Sequence, residues 1–319
     1  MAFSLRSLRA YLKIAPEATS FVTRGFQIGN SATQKLLEHS ASTFVLGYHT
    51  ALDSDNNATL ATHLEQIDLP FRGFAYEGAG MALALLDFFS PWNKRFLPFS
   101  LEEGNNHIYM LYVGWGWSMG RLPRKQIKIT GRNAYDPLLR WLAYDGYGFH
   151  EGFFSWKKRL VEQRRPLTLP KGYAQRAFDQ GLGRSLWFVS CGDVSAVASR
   201  INAFPQTRQP DLWSGIGLAC TYAGGVTDED LQKIQDLSTP FQAHLTQGSG
   251  FAIKARMRAG NLGEHTQRAS YVICRASPDE VARRIDLATE DLPPDGLEPS
   301  FEVWRQRIQA ALQTSVPAT

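Results

Sequence analysis

The segment from Tyr144 to Phe154 concentrates the residue types that can move protons. It holds Asp145, His150 and Glu151 among three glycines. Histidine serves as a general acid or base near neutral pH, and an adjacent carboxylate raises its pKa. Two interpretations stay open. The segment is either a proton-transfer site that follows a helix, or a helix-connecting turn whose polar side chains are satisfied by backbone groups.

A further carboxylate, Glu77, lies inside the apolar segment Phe74–Phe89. Burying a carboxylate without a partner is costly, and burial raises its pKa. In an apolar pocket Glu77 would therefore exchange a proton with a substrate. The alternative is a partly exposed side chain or an ion pair with Arg72. The predicted catalytic residues are thus Glu77, Asp145, His150 and Glu151.

Aromatic residues surround these candidates and make up 12% of the chain. A groove lined by such rings suits a long apolar or polyene-like ligand, although the same rings would equally fill a core. The residues predicted to bind substrate are Tyr76, Trp115, Trp117, Tyr147, Phe149 and Trp213.

No cofactor and no metal is predicted. The seven histidines include no HExxH pattern, and Gly181–Ser185 lacks the preceding strand and third glycine of a dinucleotide-binding fingerprint. That segment is better interpreted as a helix start, with Arg184 as a candidate anion contact. Three cysteines are too few for a disulfide scaffold and fit a reducing cytoplasm.

Helical spacing of apolar residues predicts a predominantly α chain. The predicted helices are Asn57–Leu69 with Asn57 as its cap, Phe74–Phe89, Asp136–Ala143 and Asp193–Phe204 capped by Asp193, with further helices starting at Thr227 and Ser277. Strand alternation is scarce. We therefore expect a mostly α fold built from antiparallel helix pairs.

The two halves of the chain resemble each other, which predicts an internal duplication. Residues 60–82 align without a gap with residues 197–219. We expect two similar helical repeats, residues 1–165 and 166–319, that form one compact unit and meet at a shared groove. Positions that differ chemically between the halves, such as Glu77 opposite Ser214, are the candidates for function.

Charge and hydropathy exclude several classes of protein. The net charge of +4 is small and has no dense basic block, so nucleic-acid binding is not indicated. No apolar run reaches the roughly 18–20 residues of a membrane span, so we expect a cytoplasmic protein without stable membrane insertion. Residues 1–15 form a basic amphipathic segment. A docked first helix is the main expectation for it, and a weak membrane-surface contact is the lesser one.

Several long strings of this sequence resemble a known family. They are FRGFAYEGAGMALALLDFF, DPLLRWLAYDGYGFHEGFF, AFDQGLGRSLWFV and DLWSGIGLACTYAGG, followed by FAIKARMRAGN and YVICRASPDEVA. From Phe44 to Ile308 the chain resembles the bacterial domain-of-unknown-function family 1702, often labelled an enediyne biosynthesis protein. The resemblance implies a gene context in natural-product clusters. It implies neither a settled reaction nor catalytic residues.

These observations predict a cofactor-independent enzyme of natural-product biosynthesis. It would carry out an acid–base cyclisation, isomerisation or elimination on an extended apolar intermediate of enediyne, polyketide or terpenoid-like type. Its partners would be this hydrophobic small molecule and another biosynthetic protein. The alternative is a non-catalytic protein that binds an intermediate or a partner enzyme. The positions of Glu77 and His150 distinguish the enzyme from the binding protein, because the enzyme hypothesis expects both residues in one enclosed pocket.

Overall fold

The structure is a computed structural model that describes residues 5–122 and 136–313. Helices dominate these ranges and no strand occurs in them, which confirms the predicted mostly α fold. The α-helices are α1 (Leu5–Leu12), α2 (Phe21–Arg24), α3 (Ser31–Asp53), α4 (Asn57–Glu65), α5 (Leu69–Phe89), α6 (Phe96–Leu101), α7 (Ile108–Met119), α8 (Leu142–Phe154), α9 (Tyr173–Val189), α10 (Val194–Asn202), α11 (Gln209–Ala223), α12 (Asp228–Leu237), α13 (Gln242–Arg258), α14 (Glu264–Ala269), α15 (Pro278–Leu287) and α16 (Ser300–Gln313). Short 3-10 turns lie at Pro16–Thr19, Asn105–His107 and Leu139–Trp141, and π turns at Lys157–Val161 and Ser270–Cys274.

Side-chain caps fix where several helices begin. Asp193 accepts a hydrogen bond from a backbone N–H in the first turn of α10, as predicted. Thr227 and Asp230 form the predicted capping box at the start of α12. The prediction for α4 is off by one residue, because Asn56 rather than Asn57 supplies the capping oxygen. Each cap satisfies a donor that the helix itself leaves without a partner.

Glycines set the spacing between the long helices. A Gly-x-Gly pair recurs at intervals of 32 to 36 residues in α5, α7, α8, α9, α11 and α13; the pairs begin at Gly78, Gly114, Gly146, Gly181, Gly215 and Gly248. A Cβ on Gly114 would lie 1.9 Å from the backbone oxygen of Glu77, and one on Gly148 would lie 2.0 Å from that of Phe178. The helices therefore approach each other through bare backbone, which no larger residue would permit.

Neighbouring long helices run in the same direction. His39 near the start of α3 packs on Phe71 near the start of α5, with ring centroids 4.2 Å apart. Gly152 near the end of α8 meets Ser185 near the end of α9. The chain segment that joins two successive long helices must therefore run in the opposite direction. The predicted antiparallel pairing holds between a long helix and the segment that follows it, whereas successive long helices are parallel. The division into residues 1–165 and 166–319 stays a prediction.

The layer of long helices curves, so that α5 near its beginning contacts α11 and α13 near its end. Arg256 of α13 donates hydrogen bonds to the backbone oxygens of Pro70 in α5, at 3.2 Å, and Tyr222 in α11, at 3.0 Å. The ring of Tyr222 packs edge-on against Phe74 at 5.2 Å. The inner helix faces therefore enclose a centre without bulk water, where polar groups need partners within the protein.

The segment from Tyr144 to Phe154 is not a helix-connecting turn, and it does not follow a helix but forms part of one. It lies within helix α8, and all but its last residue are buried. Its glycines serve helix packing instead of a turn, since Gly146 lies against the backbone oxygen of Val113 in α7. The predicted helix Asp136–Ala143 is replaced by a short 3-10 turn that leads into α8.

Helix α1 is the described part of the basic N-terminal segment, whose first four residues lie outside the described ranges. It docks on the protein, because Tyr48 of α3 donates a hydrogen bond to the backbone oxygen of Leu12 at 2.7 Å. Arg9 pairs with Asp55 at 3.0 Å. Within residues 5–122 and 136–313, no helix combines the length and the apolar character that crossing a membrane requires.

Candidate functional site

Glu77 lies at the centre of the molecule on α5, and it is only 1% exposed. Its position follows from Gly78, which packs directly against the backbone of α3. Trp117 of α7 donates a hydrogen bond from Nε1 to Glu77 Oε1 at 2.8 Å, and Arg184 Nη2 of α9 lies 3.7 Å from the same oxygen. In the described part of the chain, the other oxygen, Oε2, has no hydrogen-bond partner. One oxygen of a fully buried carboxyl group is therefore left for a ligand.

Burial raises the pKa of Glu77 from 4.5 to about 7, and the indole hydrogen bond and the positive charge of Arg184 offset this only in part. Arg184 compensates incompletely because it is already paired with Asp145, whose Oδ1 lies 2.6 Å from Nη1. Glu77 can consequently give up or accept a proton near neutral pH. Its expected alternative partner Arg72 lies elsewhere and pairs with Glu65 at 2.6 Å.

A ladder of buried polar side chains starts at Asp145 and crosses the following helices. Gln180 of α9 donates a hydrogen bond to Asp145 Oδ2 at 2.8 Å. Ser214 of α11 lies 3.0 Å from Gln180 Oε1 and 2.9 Å from Gln247 Oε1 of α13. Arg305 of α16 then donates to Gln247 at 3.0 Å. Both oxygens of Asp145 are thus occupied, so it acts as the counter-ion of the central guanidinium and as a link between helices.

Aromatic rings enclose Glu77 in a narrow cleft between α3, α5, α7, α8 and α9. The lining rings are Phe44, Phe74, Trp117, Phe149, Phe153, Phe154 and Phe188. The free space is about 20 Å³, which holds about one water molecule. A larger ligand must therefore displace side chains. Of these rings only Phe154 is partly exposed, so it lies at the rim of the cleft.

A second apolar cavity, of about 30 Å³, begins at Arg184. Its other large lining residues are Tyr109, Met110, Leu142, Leu218, Tyr222, Phe251, Lys254 and Trp304. The guanidinium of Arg184 also lies over the ring of Phe149, 4.6 Å from its centroid, and contacts Glu77. Arg184 therefore separates the aromatic cleft from this second cavity.

His150 and Glu151 lie beside the aromatic cleft but do not line it. The ring of His150 packs edge-on against Trp117 at 5.7 Å, and its Nδ1 lies 3.3 Å from Glu151 Oε1. Glu151 accepts a hydrogen bond from Arg159 Nε at 2.7 Å. Burial raises the pKa of Glu151, but His150 and Arg159 together lower it more, so it lies below the ordinary value. Glu151 is thus held as a carboxylate.

Two of the six predicted substrate-binding residues, Trp117 and Phe149, line the cleft with Glu77. Tyr76, Trp115, Tyr147 and Trp213 line neither cavity. Tyr76 donates a hydrogen bond to Glu65 at 2.8 Å and stacks on His107, on the side of α5 away from the cleft.

The family model described as Protein of unknown function (DUF1702) matches residues 4–312, nearly the whole chain. The chain belongs to this family. No curated protein and no solved structure matches it. The chemistry of this DUF1702 protein therefore has to be inferred from its own side chains.

Arg184, expected from the sequence only as a candidate anion contact, pairs with the buried carboxylates of Asp145 and Glu77. The signal for it lies in the glycine pairs. Trp117, Phe149 and Arg184 each follow the second glycine of a pair directly, four residues after Val113, Asp145 and Gln180. Residues four apart share one face of a helix. The residue before the first glycine of a pair and the residue after the second glycine therefore point toward the same side of the layer. Alignment of all six pairs would have placed Arg184 beside the aromatic rings.

No cluster of three or more histidine, cysteine, aspartate or glutamate side chains that could hold a metal ion occurs in residues 5–122 and 136–313. The cysteines Cys191, Cys220 and Cys274 are buried and unpaired.

Proposed function

We propose that this protein is an acid–base enzyme of natural-product biosynthesis, in which Glu77 exchanges a proton with an extended apolar intermediate. The observation that carries the proposal is the free Oε2 of a fully buried carboxyl group in an aromatic cleft. A carboxyl group with a pKa near 7 is populated in both protonation states at neutral pH. It therefore suits a cyclisation, isomerisation or elimination, in which a proton is added at one atom or removed from another.

The neighbours of Glu77 fit this role. Trp117 holds Oε1, so the proton is exchanged at Oε2. Arg184 Nη2, at 3.7 Å, stabilises the carboxylate that forms when the proton is donated. The rings exclude water from the reacting carbon atoms. Proton transfer of this kind contributes roughly 10²–10⁴-fold, so folding of the substrate against the rings must supply the rest.

The proposed setting is a bacterial, cytoplasmic pathway to an enediyne, polyketide or terpenoid-like product. Its support is the resemblance of the long strings around Glu77 and Asp145 to a family associated with such clusters. A second biosynthetic protein would deliver or receive the apolar intermediate. A weak membrane contact through α1 would bring the protein to a lipid-soluble substrate; Tyr11 and Trp92, 77% and 82% exposed, line one surface groove there. Removal of residues 1–13 should then abolish binding to liposomes.

The alternative is a non-catalytic protein that holds an intermediate or docks a partner enzyme. Three observations favour it. His150 does not line the cleft that contains Glu77. The cleft has free space for about one water molecule, and the other predicted acids are engaged, Asp145 with Arg184 and Glu151 with Arg159. Under this alternative Glu77 would be a polar contact only.

The two functions are distinguished by metabolites of a producing strain in which the gene is deleted and then restored as a variant. Glu77→Gln should accumulate the same intermediate as the deletion, because glutamine keeps the contact with Trp117 but carries no exchangeable acid proton. Glu151→Gln is the matched control and should restore normal product, since Glu151 lies outside the cleft. His150→Ala tests the remaining predicted residue. Circular dichroism checks that each variant folds. Normal product from Glu77→Gln, with an intermediate from the deletion alone, would favour the binding function.

A further inference from the structure

Three buried polar groups with unused hydrogen-bonding capacity surround the point where the two cavities approach each other. In the described ranges, Glu77 Oε2 and Arg184 Nε have no hydrogen-bond partner, and Tyr222 Oη has only the side-chain amide of Asn261 beside it. The three residues are 1%, 3% and 2% exposed, so bulk water does not satisfy them. A buried polar group with an unused donor or acceptor costs free energy, and three in one place indicate a bound group.

The three atoms share one region at the middle of α5. Arg184 Nη2 lies 3.7 Å from Glu77 Oε1. Tyr222 Oη lies over Gly73, one helical turn before Glu77, where a Cβ would approach it to 1.9 Å. Arg184 and Tyr222 line the second cavity together. Only glycine at position 73 leaves room for the hydroxyl group in this place.

We propose that the ligand of this site carries a carbonyl oxygen, to which Arg184 Nε–H and Tyr222 Oη–H donate hydrogen bonds beside Glu77. This inference rests on the proposed function and adds the chemical class of the substrate, an aliphatic or polyene ketone or ester. The free space of about 30 Å³ in the second cavity accommodates one oxygen atom of this size.

The chemistry of the three groups selects an acceptor. Arg184 Nε can only donate, and a tyrosine hydroxyl donates readily. Arg256 lies under the ring of Tyr222, 4.2 Å from its centroid, and its positive charge strengthens the hydroxyl group as a donor. With its pKa raised to about 7, Glu77 supplies a third proton below that pH. An ammonium ligand, which can only donate, would meet donors facing donors.

A neutral carbonyl fits better than a carboxylate. The charge of Arg184 is already balanced by Asp145 at 2.6 Å. The N–H groups of Arg256 are directed to backbone oxygens, including that of Tyr222. Apart from Lys254, whose Nζ is paired with Asp286 at 2.6 Å, the rest of the second cavity is lined mainly by apolar residues such as Leu218 and Phe251. Burying a full negative charge there would lack a free counter-ion.

The step that follows is proton transfer with no change of oxidation state. Held by Arg184 and Tyr222, the carbonyl acidifies the C–H bond on the adjacent carbon. The Glu77 carboxylate takes that proton, the C–H electron pair forms the C=C bond of an enol, and the carbonyl oxygen receives a proton from Tyr222. Where a C=C bond of the substrate is conjugated with this enol, Glu77 returns its proton to the far carbon atom of the dienol. The enol O–H gives its proton back to Tyr222 as the C=O bond re-forms, which restores both side chains and completes an isomerisation.

The test is binding of 2-octanone to the purified full-length protein, compared with octane and octanoate as probes. Wild type should bind 2-octanone more tightly than either. The infrared C=O stretch of 2-octanone labelled with ¹³C at the carbonyl should shift to lower wavenumber on binding. Tyr222→Phe should weaken 2-octanone binding roughly 2–10-fold and return part of the shift, while leaving octane binding unchanged.

Tyr144→Phe is the matched control, because Tyr144 is also buried on a long helix but lines neither cavity. It should leave affinity and stretch unchanged. Equal affinity for 2-octanone and octane, tighter binding of octanoate, no binding of any probe, or an unchanged stretch in Tyr222→Phe would each overturn the inference. The proposed function fails separately, if Glu77→Gln yields normal product in the producing strain.

Discussion

Replacing Glu77 with glutamine should alter how the stability of the protein depends on pH. Burial raises the pKa of Glu77 from 4.5 to about 7, whereas in the unfolded chain the carboxyl titrates near its ordinary value. Between these two values the folded state keeps a proton that the unfolded state has released. The protonated group therefore stabilises the fold at acidic pH, and this contribution is lost as the pH rises through that window.

The magnitude follows from the size of the shift. One pKa unit corresponds to about 1.4 kcal/mol, so Glu77 alone should lower the free energy of unfolding by about 3 kcal/mol between pH 4 and pH 8. Glutamine does not titrate, and its side-chain oxygen still accepts the hydrogen bond of Trp117. The stability of Glu77→Gln relative to wild type should therefore increase by about 3 kcal/mol over this range.

Urea unfolding at pH 4, 6 and 8, followed by circular dichroism, measures the difference. Glu151→Gln is the control with the opposite sign. Its wild-type carboxylate has a lowered pKa, so that variant should lose stability relative to wild type as the pH rises toward about 4.5 and show no further change between pH 6 and pH 8. A Glu77→Gln difference that is independent of pH would mean that Glu77 is hydrated. One that falls with pH would mean a stable ion pair with Arg184. Either result refutes the reasoning.

Further predictions concern the scaffold and the cleft. Gly148→Ala should destabilise the protein by about 3 kcal/mol or more in urea unfolding, because its Cβ would lie 2.0 Å from a backbone oxygen of α9. Gly296→Ala, where no atom lies within 4 Å, is the control and should change stability by less than about 0.5 kcal/mol. Trp117→Phe should raise the pKa of Glu77 further, because the indole hydrogen bond lowers it, and the infrared band of the protonated carboxyl should then persist to higher pH. Asp193→Ala should cost about 1 kcal/mol in thermal unfolding through loss of the α10 cap.

The sequence allowed the helical class and several helix starts to be predicted, because caps and apolar spacing are local properties. Asp193 and Thr227 cap helices as expected for that reason. The apolar neighbours of Glu77 indicated burial, with partial exposure or a pair with Arg72 as the alternative, and the side chain is buried. Its partners could not be predicted in this way, since Trp117 and Arg184 are 40 and 107 residues distant in the chain and meet it only once the long helices pack together.

The interpretation of Gly146 and Gly148 failed for a physical reason. Glycine favours turns, but it also permits two helix backbones to touch, and the isolated segment does not distinguish these uses. The recurrence of Gly-x-Gly pairs along the chain favours the second use. The predicted substrate-binding aromatic residues were only partly correct for a similar reason. Trp117 and Phe149 follow the glycine pairs and line the cleft, whereas Trp115 and Tyr147 lie between the two glycines of a pair and do not line it.

The most direct test of Glu77 as a proton-transfer residue is conversion of the intermediate that accumulates in the deletion strain. Purified wild type and Glu77→Gln would each be incubated with that compound in D₂O, and product and deuterium content measured by mass spectrometry. Wild type should convert it with incorporation of deuterium, and Glu77→Gln should be roughly 10²–10⁴-fold slower while binding it with similar affinity. Equal rates for the two proteins, or binding without conversion by wild type, would contradict the account.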